Sequence, residues 1–126
     1  RVAFGKPIIR LGGNLERVAE ARMAIEQARL LTLHAAWKID NLGVKHAMTE
    51  ISAIKVVVPN MLQSVVDMAL QLHGGAGYMD EYPISRLYTD ARVTRIYAGT
   101  SEVMKIIISR DLFNDDCTKF VDRLSV

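Results

Sequence analysis

The segment Glu50–Leu72 constrains the fold more than any other. Within it Ile51, Ile54, Val58, Met61, Val65, Met68 and Leu72 recur at alternating steps of three and four residues. In an α-helix these positions fall on one face, so the segment predicts a long helix with a sustained seam for packing on another helix at a shallow angle. Pro59 lies inside the pattern. It brings no N–H and its ring presses on the carbonyl four residues back, so a kink is expected over Lys55–Pro59. Gly74 and Gly75 end the helix.

The rest of the chain supplies the partners. Residues 1–13 read as an extended lead-in, punctuated by Pro7 and Gly12-Gly13. Asn14 reads as the N-cap of a first helix over Leu15–Leu42, closed by Gly43. Its apolar residues, among them Leu15, Val18, Met23, Ile25, Leu30, Leu33 and Trp37, cover more than one stripe, as in a helix wetted on little of its surface. A short third helix is expected over Pro83–Arg92, with proline in its first turn, and a fourth from Thr100 or Ser101 to Phe113. The tail Asp115–Val126 is acidic, then amphipathic, and adds a turn or two. No strand hairpin or internal repeat is expected. The predicted class is all-α, an antiparallel helical bundle forming a single domain over residues 1–126. Two long and two shorter helices leave two apolar surfaces undercovered, which points to a missing helix, domain or neighbouring subunit. The opening RVAFGKP carries no initiator Met, and a fragment of a longer protein is expected.

Composition excludes several function classes. Half of the 126 residues are hydrophobic, too many for a disordered chain. The net charge of +2 is spread thinly, so nucleic acid is not an expected partner. Cys117 is the single cysteine, which rules out an internal disulfide, fits a reducing compartment and reads as a spectator thiol. His34, His46 and His73 show no metal-ligand spacing. No signal peptide is evident and no membrane span is expected, because no run of about 18 apolar residues is apparent.

Two glycine-bearing hinges carry the chemistry. GGAG, Gly74–Gly77, follows the long helix. Its ordinary reading is a C-cap; its sharper reading is bare backbone that admits a flat or phosphorylated ligand. No strand precedes it, so it is neither a Rossmann nor a P-loop fingerprint. The second hinge, Gly99-Thr100-Ser101-Glu102, opens a helix. Free N–H groups and two hydroxyls there suit an anion, while a plain N-cap by Thr100 or Ser101, with Glu102 complementing the helix dipole, explains the same residues. Both readings stand.

Together the run QLHGGAGY…EYPISRLYTDARVTRIYAGTSEV, the opening RVAFGKP, and the helical stretches AEARMAIEQARLLTLHAAW and EISAIKV resemble the C-terminal part of the acyl-CoA dehydrogenases. IEQARLL and EISAIKV lean towards the branch of family members ten and eleven. The resemblance implies the last helical domain of a three-domain flavoprotein, lacking its first helix. It implies oxidation of an acyl-CoA thioester to the 2,3-enoyl-CoA, with FAD as cofactor and an electron-transfer flavoprotein as acceptor, in a homo-oligomer (dimer or tetramer). It implies an intracellular protein, mitochondrial or peroxisomal in a eukaryote and cytoplasmic in a bacterium.

By the same resemblance, Arg1 contacts the FAD pyrophosphate, with Phe4 beside it in the same segment. Gln71 and the backbone at Gly74 and Gly75 approach the adenosine end from a neighbouring subunit. Thr100 and Glu102, with Ser101 between them, contact FAD in the chain's own subunit, and Tyr97 and Gly99 line the thioester pocket. Ala3, Gly12 and Thr89 stand where many members have a hydroxyl residue, Gln and Arg, each exchange costing about 1 kcal/mol of a hydrogen bond.

The largest departure is Ala98, which occupies the usual position of the catalytic Glu. A methyl group takes no proton. The resemblance then implies that this chain holds no catalytic residue and that the base stands upstream of Arg1, as in the isovaleryl and long-chain branches. The chain alone is expected to be inactive and to hold FAD weakly or not at all. A non-enzymatic helical oligomerisation module, and a relative that has lost dehydrogenase activity, are the alternatives.

Overall fold

The computed structural model describes residues 1–114; the expectations for the tail Asp115–Val126, including Cys117, lie outside the described residues. Four helices follow a short hairpin: α1 (Asn14–Leu42), α2 (Met48–His73), α3 (Pro83–Val93) and α4 (Ser101–Asn114). The all-α class and the helix bounds agree with the sequence pattern to within a residue or two, apart from the start of α2.

The lead-in is not simply extended. Val2–Ala3 (β1) pairs antiparallel with Lys6–Pro7 (β2), with Val2 opposite Pro7, and a 3-10 turn follows over Ile8–Arg10. The two-residue connection is Phe4-Gly5, at φ 51° and 71°. A type I′ hairpin turn needs positive φ at both central positions, and Phe-Gly does not announce this as Asn-Gly would. Asn14 is not the N-cap of α1 either. Gly13 occupies that position without a side-chain cap, and the Asn14 amide instead donates to the Ile8 carbonyl at 2.7 Å, pinning the lead-in to the helix. Gly43 closes α1 at φ 84°, its N–H donating to the Ile39 carbonyl.

Helix α2 is central: α1, α3 and α4 all pack on it. It runs without interruption through Pro59, which is buried and leaves the Lys55 carbonyl without its in-helix donor. The predicted seam is half-buried along its whole length. The deepest positions are Ser52, Val56, Pro59 and Val66, a second line at steps of three, four and seven that lies well round the helix from the seam. Val66 joins Ile84 and Ala91 of α3 in a small core, with Leu62, Ala69 and Leu70 packed on it.

Helix α1 also differs from expectation. It buries Ala28 and Ala35, while Met23, Leu30, Leu33 and Trp37 are all more than half exposed. Small residues let α1 approach α2 closely, and the large ones are turned outward. A Lys38–Glu50 ion pair at 2.6 Å joins α1 to α2, and Thr49 Oγ1 donates to Asp111 Oδ2 at 2.5 Å to join α2 to α4.

The expectation of no apolar segment long enough to span a membrane is corrected. The stretch Val44–Tyr78 is long and apolar enough by length and composition, with a window of mean hydropathy 1.3. In this fold α1, α3 and α4 pack on the helix within that stretch.

Candidate functional site

The two hinges form two separate patches. The first is built where the hairpin returns to the end of α2. Gly74 has φ 64° and ψ −146°, a conformation that only glycine adopts readily, and its N–H donates to the Gln71 carbonyl. The Arg1 guanidinium lies against it: a Cβ at Gly74 would stand 2.7 Å from Arg1 Cζ. Arg1 Nη1 reaches the Leu72 carbonyl at 3.5 Å, a long hydrogen bond to the open end of α2. A cavity of about 470 Å³ is lined here by Arg1, His73, Gly75, Ala76 and Tyr82. Gly75 is exposed with open space above it.

Of the residues singled out from sequence, Arg1, Gly74 and Gly75 thus meet, although more than 70 positions separate the first from the others. Gln71 is exposed beside them. Phe4 is not brought in; it stands 94% exposed at the hairpin tip and does not line the cavity. His73, Ala76 and Tyr82 were missed. His73 adjoins the glycine cluster, which was its only signal, and its Nδ1–H donates to the Ala69 carbonyl at 2.8 Å.

The second patch is the turn between α3 and α4. The Ile96 and Tyr97 N–H groups donate to the Val93 carbonyl at 2.8 and 3.3 Å, and the Ser101 N–H donates to the Arg95 carbonyl at 3.3 Å. Ala98 sits at φ 52° and Gly99 at φ 92°. The first is a strained value for a residue with a Cβ, worth roughly 1–2 kcal/mol. At Gly99 a side chain would also collide with the Met104 methyl.

Thr100 is the cap of α4: its Oγ1 accepts the Val103 N–H at 3.3 Å. The plain N-cap reading is therefore realised in the structure. Glu102 has its pKa lowered by a hydrogen bond from its own backbone N–H, next by the Thr100 hydroxyl, and further by Lys105 and Arg95, against a smaller opposing effect of desolvation. Ser101 is 3% exposed and its Oγ has no hydrogen-bond partner among the described residues.

The lowered Glu102 pKa has a pH consequence. The folded carboxyl binds its proton less readily than the unfolded one, so ionised Glu102 adds stability above the ordinary carboxylate pKa. That increment fades as pH falls through the lowered value. Glu102→Gln is expected to be the less stable form near neutrality. Denaturant titrations of both forms at a series of pH values should show the difference shrinking on acidification; a difference constant with pH would count against it.

Tyr97 and Ala98 line a groove of about 670 Å³ between α1, α2 and α4, whose floor includes Ile51, Ile54, Val58 and Ile107. Gly99, Thr100, Ser101 and Glu102 do not line it. The first cavity takes no residue from this turn, and the groove takes none from the glycine cluster. Among the described residues no group of three or more His, Cys, Asp or Glu is placed to hold a metal ion.

Residues 1–113 match the family model described as acyl-CoA dehydrogenase, C-terminal domain. The chain is 42% identical over 110 residues to acyl-CoA dehydrogenase family member 10 of Mus musculus, which covers 87% of this chain and 10% of that protein. Among solved structures it resembles butyryl-CoA dehydrogenase from Megasphaera elsdenii, at 35% identity and TM-score 0.82, over 90% of this chain and 29% of that one. It also resembles PigA in its FAD complex, at 29% identity and TM-score 0.80, over 89% and 29%. The chain thus spans from a tenth to under a third of the length of these relatives.

Proposed function

Because this chain belongs to the acyl-CoA dehydrogenase family, through its C-terminal helical domain, we propose that it forms part of an FAD-dependent enzyme oxidising an acyl-CoA thioester to the 2,3-enoyl-CoA. The observation that carries this reading is the Arg1 guanidinium lying on Gly74. Two segments expected separately to touch one dinucleotide form a single patch, with an exposed cation beside bare backbone. A guanidinium there suits a pyrophosphate, and Gly75, with nothing within 4 Å of a Cβ, leaves room for a flat ring.

The second patch fits the same cofactor. At the start of α4 the buried Ser101 hydroxyl has no hydrogen-bond partner among the described residues, a donor that the fold leaves over. Thr100 and Glu102 complete that cluster at the helix start. FAD, when bound, supplies the hydride acceptor. The chain's own groups bind and orient: Tyr97 and Ala98 wall the apolar groove in which an acyl chain is held away from water. Ala98 accepts no proton, so the base that takes the α-proton belongs to another part of the protein. The two patches lie apart in one chain, which suits a cofactor shared between two copies. The exposed Met23, Leu30, Leu33 and Trp37 on α1 favour such an assembly, since large apolar side chains clustered on a surface mark contact sites. An electron-transfer flavoprotein would reoxidise the flavin.

The purified protein that carries this chain is expected to show flavin absorption near about 450 nm and to form enoyl-CoA with an artificial electron acceptor. Arg1→Ala is expected to raise the flavin dissociation constant by about tenfold or more, the loss of one charge-assisted hydrogen bond. Flavin-free protein that takes up no FAD on titration would overturn the reading.

A further inference from the structure

The turn that carries Tyr97, Ala98 and Gly99 is held by a residue of α2 to which no role has yet been given. Lys55 is half-buried on the groove wall. Its ammonium donates to the Thr94 carbonyl and stands 5.0 Å from the centroid of the Tyr97 ring. α3 ends at Val93, so the Thr94 carbonyl belongs to the set that a helix leaves without in-helix donors. A cation at that end meets both the free carbonyl and the negative end of the helix dipole. Beneath the Tyr97 ring the same charge meets the electron-rich face.

One ammonium thus fixes both the start of the turn, at Thr94, and the side chain three residues on. This matters because the turn is under strain. Ala98 at φ 52° reverts to ordinary backbone unless its flanks hold it. Hydrogen bonds within the turn run back to Val93 and Arg95, and Met104 packs on Gly99 from the α4 side. From the α2 side Lys55 makes the polar contact. The Lys55 backbone is itself unusual, since Pro59 supplies no N–H to its carbonyl.

We propose that Lys55 is the positioning residue of the groove: it caps α3 from a different helix and presents Tyr97 and Ala98 at the mouth in a preset geometry. It touches no reacting atom in this scheme. The consequence for substrate affinity rests on the dehydrogenase reading above; the consequence for the turn does not.

The test uses the whole protein that carries this chain, with Lys55→Met and Lys55→Arg. Amide exchange followed by mass spectrometry is expected to show about tenfold faster exchange in peptides covering 94–101 for Lys55→Met, the scale of one lost charge-assisted hydrogen bond. Lys55→Arg, which keeps a donor and a cation over the ring, restores most of the protection. With acyl-CoA, Lys55→Met is expected to raise KM more than it lowers kcat.

Unchanged exchange at 94–101 in a folded Lys55→Met protein overturns the proposal. So does faster exchange spread evenly over α2 and α4. Where Lys55→Met does not fold, Tyr97→Leu and Tyr97→Phe decide: the proposal requires faster exchange for Leu and not for Phe, and equal behaviour overturns it. A wild-type protein without dehydrogenase activity would remove the proposed function while leaving the exchange result to judge Lys55 by itself.

Discussion

Gly77→Ala is expected to destabilise this domain by about 3 kcal/mol, the cost of forcing a methyl into a site with no room for it. Gly77 is buried in the turn after α2. An added Cβ would lie 2.7 Å from the Leu70 carbonyl oxygen and 2.9 Å from His73 Cβ. Both belong to the last turns of α2, and a backbone carbonyl cannot swing aside as the tip of a side chain does. The turn or the helix end must shift, and the first cavity shifts with it. Gly75→Ala is the control. It is exposed, has nothing within 4 Å of a Cβ, and should stay within about 0.5 kcal/mol of wild type. Urea denaturation followed by circular dichroism reads both; equal midpoints for the two variants would refute the steric account.

Lys38→Met is expected to cost about 2–3 kcal/mol, somewhat below the roughly 3–5 of a fully buried pair. The Lys38 and Glu50 side chains keep 23% and 17% of their exposure, so water offsets part of the loss. Removing the ammonium strands Glu50, whose Oε2 is already buried without a partner among the described residues and whose next nitrogen neighbour, the His34 ring, stands at 4.0 Å. The double replacement Lys38→Met/Glu50→Leu should recover most of that loss, because no charge is left unpaired. A double variant as unstable as the single one would show that the loss arises from packing instead.

Much of this fold was legible because period and punctuation agree. The three-and-four spacing of α2, the proline at the start of α3 and the glycines after α1 and α2 each act locally, and local rules read directly from residues. What was not legible depended on partners far along the chain. Phe4 takes positive φ only because the paired strands close around it. Asn14 abandons its cap for the Ile8 carbonyl because the lead-in folds back.

On α1 the large apolar residues drew the eye, yet Ala28 and Ala35 are the ones buried, since closeness of approach is decided by the partner's surface. The site shows the same division. The glycine cluster and the Thr100 cap were evident as motifs, and their relation to Arg1 required the tertiary fold. Lys55 lies within the EISAIKV stretch but was given no role: a lone lysine in an apolar helix gives no sign that it reaches a carbonyl 39 positions away.

The central position of α2 has a consequence for how sequence change accumulates. α1, α3 and α4 lean chiefly on α2. Substitutions on separate outer helices therefore share few neighbours, and their effects on stability sum almost independently. Substitutions on α2 are felt by every outer helix in turn. Drift is thus tolerated at the periphery and constrained along a single spine, and outer-helix positions can change while the groove that α2 walls keeps its shape.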